Sequence, residues 1–131
     1  MSFPDGQFII RNRENGRVLD DKDSSPDAGN PIIDYNYKPS NNDNQRWTCQ
    51  DRRLVNVRPN LYLTFKNLQP ESTATQEGYC GDGQRFQYDP NMGTISLVNH
   101  NDRVVGAWDQ DVKIVTPDPG DPARRWDIQR I

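Results

Sequence analysis

The chain has 131 residues, 32% of them hydrophobic, with a mean hydropathy of −1.03 and a net charge of −3. That length suits one ordinary domain, here residues 1–131, and the mildly acidic balance (pI near 5.0, no basic stripe) excludes a nucleic-acid footprint. Low hydropathy alone would read as disorder, but the small net charge and the aromatics spread along the chain (three Trp, five Tyr, four Phe) call for a thin core fed by short strands.

No long window keeps an apolar face at the helical period, and ten prolines and nine glycines interrupt the chain. The opening Met1-Ser2-Phe3-Pro4-Asp5-Gly6 lacks an apolar stretch of signal-peptide length. This points to a cytoplasmic protein or one secreted by an unconventional route, and no later stretch is apolar enough to insert in a membrane. Phe8-Ile9-Ile10 and Val18-Leu19 flank Glu14-Asn15-Gly16. Asn-Gly supplies the positive φ angles of a tight hairpin, so these two runs are expected to pair. Strand-forming runs follow at Pro31-Ile32-Ile33, Trp47-Thr48-Cys49, Leu54-Val55-Asn56-Val57 and Leu61-Tyr62-Leu63-Thr64-Phe65. Further runs are Phe86-Gln87-Tyr88, Ile95-Ser96-Leu97-Val98, Val104-Val105, Val112-Lys113-Ile114-Val115 and Trp126-Asp127-Ile128. Residues 24–30, 39–44 and 117–122 are rich in turn formers and read as surface loops, not linkers. Cys49 and Cys80 are too far apart for a CxxC site and are expected as buried free thiols.

About twelve short strands mark an all-β barrel or sandwich, and a repeat chooses between them. Gln45-Arg46-Trp47, Gln84-Arg85-Phe86 and Arg124-Arg125-Trp126 each join a polar residue, an arginine and an aromatic, and they lie 39 and 40 residues apart. Three copies of about 40 residues fill the chain, and four strands in each make a β-trefoil. In this reading each triplet opens the first strand of the next unit, and Phe8-Ile9-Ile10 fills that place in the first. Trp47, Phe86 and Trp126 then share one core near a pseudo-threefold axis and touch no ligand.

The triplets resemble the Gln-x-Trp signature of the ricin B-chain-like (R-type) lectins. The first is a full match, the second has Phe for Trp, and the third has Arg for Gln. The sharp part of the resemblance runs from Gly16 to Trp47: Val18-Leu19-Asp20, Gly29-Asn30-Pro31-Ile32, Tyr35, then Asn44-Gln45-Arg46-Trp47. A sugar-binding repeat of that family has the same order. The resemblance therefore implies a lectin for glycans bearing galactose or N-acetylgalactosamine, with one site at Asp20, Tyr35, Asn44 and Gln45. The opening Phe3-Pro4-Asp5-Gly6-x-Phe8-x-Ile10 is similar, more loosely, to small mushroom trefoil proteins, which implies a fungal source.

The chemistry supports those roles. A pyranose shows hydroxyls on its rim and a C–H patch on one face. It needs an acceptor for two neighbouring hydroxyls, a flat aromatic and an amide that gives and accepts. Asp20 is the charged acceptor, Tyr35 the platform, and Asn44 reaches the same hydroxyls, while Gln45 orients Asp20 or reaches the sugar. The other repeats look degenerate. Thr64 and Gly106 fall where Asp20 falls, no Asn precedes Gln84, and Ala123-Arg124 replaces Asn-Gln, although Trp108 and Asp109 lie nearby. A monosaccharide of about a dozen heavy atoms at roughly 0.3–0.4 kcal/mol each gives a Kd on the order of 1 mM. Avidity then calls for a homodimer or clustered glycans.

Other chemistries fit poorly. An EF-hand loop starting at Asp21 would need glycine sixth and glutamate twelfth, where Pro26 and Ile32 stand. Two separated cysteines and one histidine make no zinc site, and no cofactor is expected. His100 lies in Asn99-His100-Asn101-Asp102, a turn composition, and no nucleophile motif is present, so no enzyme is expected. The competing reading is a β-trefoil protease inhibitor acting through a rigid exposed loop at Arg58-Pro59-Asn60 or Lys38-Pro39-Ser40.

Overall fold

A computed structural model describes residues 3–79 and 81–131. The described residues form thirteen short strands and four 3-10 turns, with no α-helix and so no helix that could cross a membrane. The strands are β1 (Phe8–Asn12), β2 (Val18–Asp21), β3 (Ile32–Tyr35), β4 (Trp47–Gln50), β5 (Arg53–Asn56), β6 (Tyr62–Thr64) and β7 (Ser72–Thr73). They continue with β8 (Thr75–Glu77), β9 (Phe86–Asp89), β10 (Thr94–Leu97), β11 (His100–Trp108), β12 (Asp111–Val115) and β13 (Trp126–Arg130).

Three hairpin-like pairs carry the repeat. Each begins with an aromatic of the triplets: β13 pairs with β1, β4 with β5, and β9 with β10. Trp126, Trp47 and Phe86 lie opposite Asn12, Asn56 and Leu97, so the register repeats three times. This corrects one expectation. Phe8-Ile9-Ile10 does not fill the first unit's aromatic place; β1 is the counterpart of β5 and β10, and β13 supplies the missing strand. The pairs join into a ring through Phe8↔Trp47, Arg53↔Arg85 and the Trp126 N–H donating to Gly93 O at 2.7 Å. The expected pairing of β1 with β2 is present but short, with Arg11 opposite Val18.

The remaining strands form a cap. β2 pairs with β3, β6 with β8 and β11 with β12. The caps touch along one seam, where the Ile32 N–H donates to Ala74 O and the Ala74 N–H to Val112 O. β7 and β8 went unread in the sequence. Their residues are polar, and the inward side chains are Ala74 and Gln76, so no apolar alternation marks them. His100-Asn101-Asp102 begins β11; the turn is one step earlier, at Asn99 with φ 71°.

Trp47, Phe86 and Trp126 are fully buried and share one core with Phe8, Leu19, Leu63 and Val105. The Trp47 indole donates to Leu19 O and the Trp126 indole to Val105 O. The Phe86 ring has no N–H and packs edge-on against Phe65, ring centroids 6.1 Å apart. Satisfying the indole lets a large ring enter the core without an orphaned donor. Cys49 is only half-buried against this core, and the expectation for Cys80 falls outside the described residues.

Candidate functional site

A short 3-10 turn stands before each aromatic: Asp43–Gln45, Asp82–Gln84 and Pro122–Arg124. Each turn swings the last of its three residues under the preceding cap. In the first repeat the Gln45 amide donates to Asp20 Oδ2 at 2.9 Å and to Asn36 O at 2.8 Å. Its carbonyl accepts the Lys38 N–H at 2.9 Å. Gln45 is fully buried and does not reach the pocket wall, so of its two expected roles the geometry keeps the orienting one.

Asn44 does more bonding than expected. Its amide donates to Asp20 Oδ1 at 3.2 Å and to Asp21 O at 3.1 Å, and its carbonyl accepts from Lys38 Nζ at 2.8 Å. Each Asp20 oxygen thus has one amide partner and keeps acceptor capacity for a second. Across the β2–β3 ladder Asp20 faces Ile33, and Tyr35 stands two residues on, on the same face by strand alternation. Asp20, Tyr35 and Asn44 line one shallow hollow of about 190 Å³, with Tyr35 45% exposed. The four expected residues therefore converge, three at the wall and one behind it.

The hollow has other walls that local sequence could not show. Lys22, Asp23, Ile33, Lys38 and Gln110 also line it. Gln110 comes from the β11–β12 turn of the third repeat, and its N–H donates to the buried Asp34 carboxylate at 2.8 Å. Asp23 sits in a strained turn with φ 59°. The loop that follows is fastened by the second repeat: the Gln76 amide donates to Ser25 O at 2.8 Å and to Asp27 O at 2.9 Å.

Burial pushes the Asp20 carboxyl above the usual aspartate range, while the Gln45 bond and the Lys38 charge pull it back. Asp21, beside it, is pushed up to about 6 by burial, against the pull of the Asn30 amide. Asn30 reaches only its Oδ1, at 2.7 Å, and its Oδ2 has no hydrogen-bond partner.

The other corners differ. Gln84 donates to Thr64 Oγ1 at 3.0 Å and to Gly78 O at 2.6 Å, matching the two Gln45 bonds and placing a hydroxyl where Asp20 stands. Gly83 takes the place of Asn44, and a Cβ there would lie 1.9 Å from Phe65 O. In the third repeat Arg124 bonds Asp121 and Thr116 O. Trp108 folds over Gly106, where a Cβ would meet its ring at 2.6 Å, and Arg124 stacks on that ring at 5.4 Å. The Asp109 side chain is almost fully exposed, 3.9 Å from Arg17 Nη1.

Among the described residues no group of three His, Cys, Asp or Glu side chains gathers as metal ligands. A larger hollow of about 550 Å³ lies against β9 and β10; Oδ1 of its one carboxylate, Asp89, accepts the N–H groups of Asn91 and Met92, and no side-chain amide braces it as Asn44 and Gln45 brace Asp20. Neither expected inhibitor loop projects as an extended strand. Lys38 turns inward to Asn44, and Asn60, at φ 61°, closes a tight turn onto Asn56 O.

Three repeats of paired strands closed into a ring under three caps define the class of fold, a β-trefoil. Residues 2–66 match the family model described as ricin-type beta-trefoil lectin domain-like. Over that span the chain is similar to the ricin-type β-trefoil lectin-like family. Solved structures share the fold across the whole chain. The mdaA-1 domain is 24% identical, with a TM-score of 0.90, covering 99% of this chain and 93% of that one. The earthworm R-type lectin C-half in complex with GalNAc is 19% identical, with a TM-score of 0.79, covering 96% and 98%. The Rhizoctonia solani agglutinin is also 19% identical, with a TM-score of 0.82, covering 100% and 99%. A search of curated protein sequences returns no match.

Proposed function

We propose that this protein is a non-enzymatic lectin that binds glycans ending in galactose or N-acetylgalactosamine, through one site in the first repeat. The observation that carries the reading is the doubly gripped Asp20 carboxylate at the wall of the hollow that Tyr35 also lines. Ionised, it accepts two neighbouring sugar hydroxyls, one on each oxygen. Tyr35 offers its ring to the C–H face of the pyranose, and Lys38 holds a charge next to the acceptor. Gln45 and Asn44 keep the carboxylate in place before the ligand arrives, which lowers the ordering cost of binding. The GalNAc complex of the earthworm lectin favours that sugar class for this fold. The second and third corners lack both the acid and the amide beside it, which supports a single site.

A glycan array tests the class and names the sugar. Asp20→Ala is expected to abolish retention on a galactose column, with the wild-type Kd on the order of 1 mM. Retention that survives this substitution would remove Asp20 from the site.

A further inference from the structure

The first hollow, at about 190 Å³, is small against the roughly 300–1,000 Å³ usual for small-molecule sites. It does not end at Tyr35. A second hollow of about 270 Å³ opens beside it and shares Lys22, Ile33 and Gln110 as common walls. Together the two fall within the usual range. The second lies on the seam where the three caps meet, and its floor includes Ile32, Ala74 and Val112, all buried. Its rim is polar. The Thr73 hydroxyl, the Gln110 amide and the Asp111 carboxylate are exposed, and none makes a side-chain hydrogen bond among the described residues. An apolar floor under unspent donors and acceptors is the same demand that a second pyranose makes: a C–H face below and hydroxyls around.

We infer that the site is a two-part groove for an oligosaccharide, with the terminal sugar at Asp20 and the next residue over the cap seam, between Thr73 and Asp111. This rests on the sugar reading of the first hollow. The groove crosses all three repeats, since Lys22, Thr73 and Gln110 come from the first, second and third caps.

The test titrates the full chain, labelled for amide NMR, with methyl β-galactoside, lactose and a galactose-terminated tetrasaccharide. The tetrasaccharide is expected to bind at least tenfold more tightly than the methyl galactoside, and to shift the amides of Thr73, Thr75 and Asp111, which the methyl galactoside leaves in place. In Thr73→Arg, which fills the groove from an exposed position, that tenfold advantage should fall to about threefold or less. Equal affinities, or a gain without shifts at the seam, would overturn the groove and leave the Asp20 site standing. Should neither these three nor methyl N-acetyl-β-galactosaminide bind, the sugar reading and the groove both fall. The wild-type shift map decides the matter even where the variant fails to fold.

Discussion

In the first repeat the corner glutamine grips a carboxylate, and in the second it grips a hydroxyl; in both, the same amide also donates to a backbone carbonyl, Asn36 O and Gly78 O. Gln45 and Gln84 are both fully buried and both tie a 3-10 turn to the preceding cap. The corner is therefore part of the trefoil frame, and chemistry is added only by what it touches. The first repeat adds Asp20, and a neighbouring Asn44 that needs room. The second has no such room, because the Phe65 carbonyl occupies the space a side chain at residue 83 would take.

The largest effect expected follows from that contact. Gly83→Ala should cost about 3 kcal/mol or more, because backbone must move to admit the methyl group. A denaturant midpoint close to wild type would show that the second corner is open after all. Next come the two glutamines. Gln45→Ala strands Asp20 Oδ2, Asn36 O and the Lys38 N–H for roughly 2–3 kcal/mol, and Gln84→Ala strands Gly78 O, while Thr64 keeps its bond to Tyr62 O, for roughly 1–2 kcal/mol. Only the first should also lose galactose binding. Equal binding by both variants would break the distinction between frame and site.

Acid sharpens the comparison within the first repeat. The fold raises the Asp21 pKa from an ordinary value near 4 to about 6. Asp21 therefore adds stability that is whole below about pH 4 and is lost as the pH climbs through about 6. In Asp21→Asn the difference in stability between pH 4.5 and pH 7.5 should shrink by on the order of 2 kcal/mol, read from urea midpoints. Sugar affinity should move the other way with pH. Binding uses ionised Asp20, whose pKa is also raised, so it weakens on acidification, above the pH at which an exposed aspartate would protonate. The smallest effect is in the third repeat. Gly106→Ala meets the far end of the Trp108 ring, which can swing aside, so a cost of about 1 kcal/mol and a red shift in tryptophan emission are expected.

The sequence was most legible where the fold is local. Asn44, Gln45 and Trp47 lie within four residues, and one turn fixes all three relative to the cap. The place of Thr64 opposite Gln84 was readable for the same reason. What stayed hidden depends on distant chain segments. β13 completes the first unit from more than a hundred residues away, so no local pattern could separate β1 from an aromatic-opened strand. Gln110 enters the first hollow from the third repeat, held by a bond from its backbone that its side chain does not announce. Lys38-Pro39-Ser40 reads in the sequence as a rigid exposed loop; in the fold the Asn44 side-chain carbonyl, six residues on, draws the Lys38 amine inward.

The Gln76 side chain carries a consequence for modularity. It reaches from the second repeat to hold the Ser25 and Asp27 carbonyls of the loop after Asp23. A stretch cut at residue 66, where the family match ends, would keep every one of the four site residues and lose this fastening. Such a fragment is expected to keep the site residues without the loop held in place beside them. A minimal binder built from one repeat is therefore expected to need a replacement for the grip that Gln76 supplies.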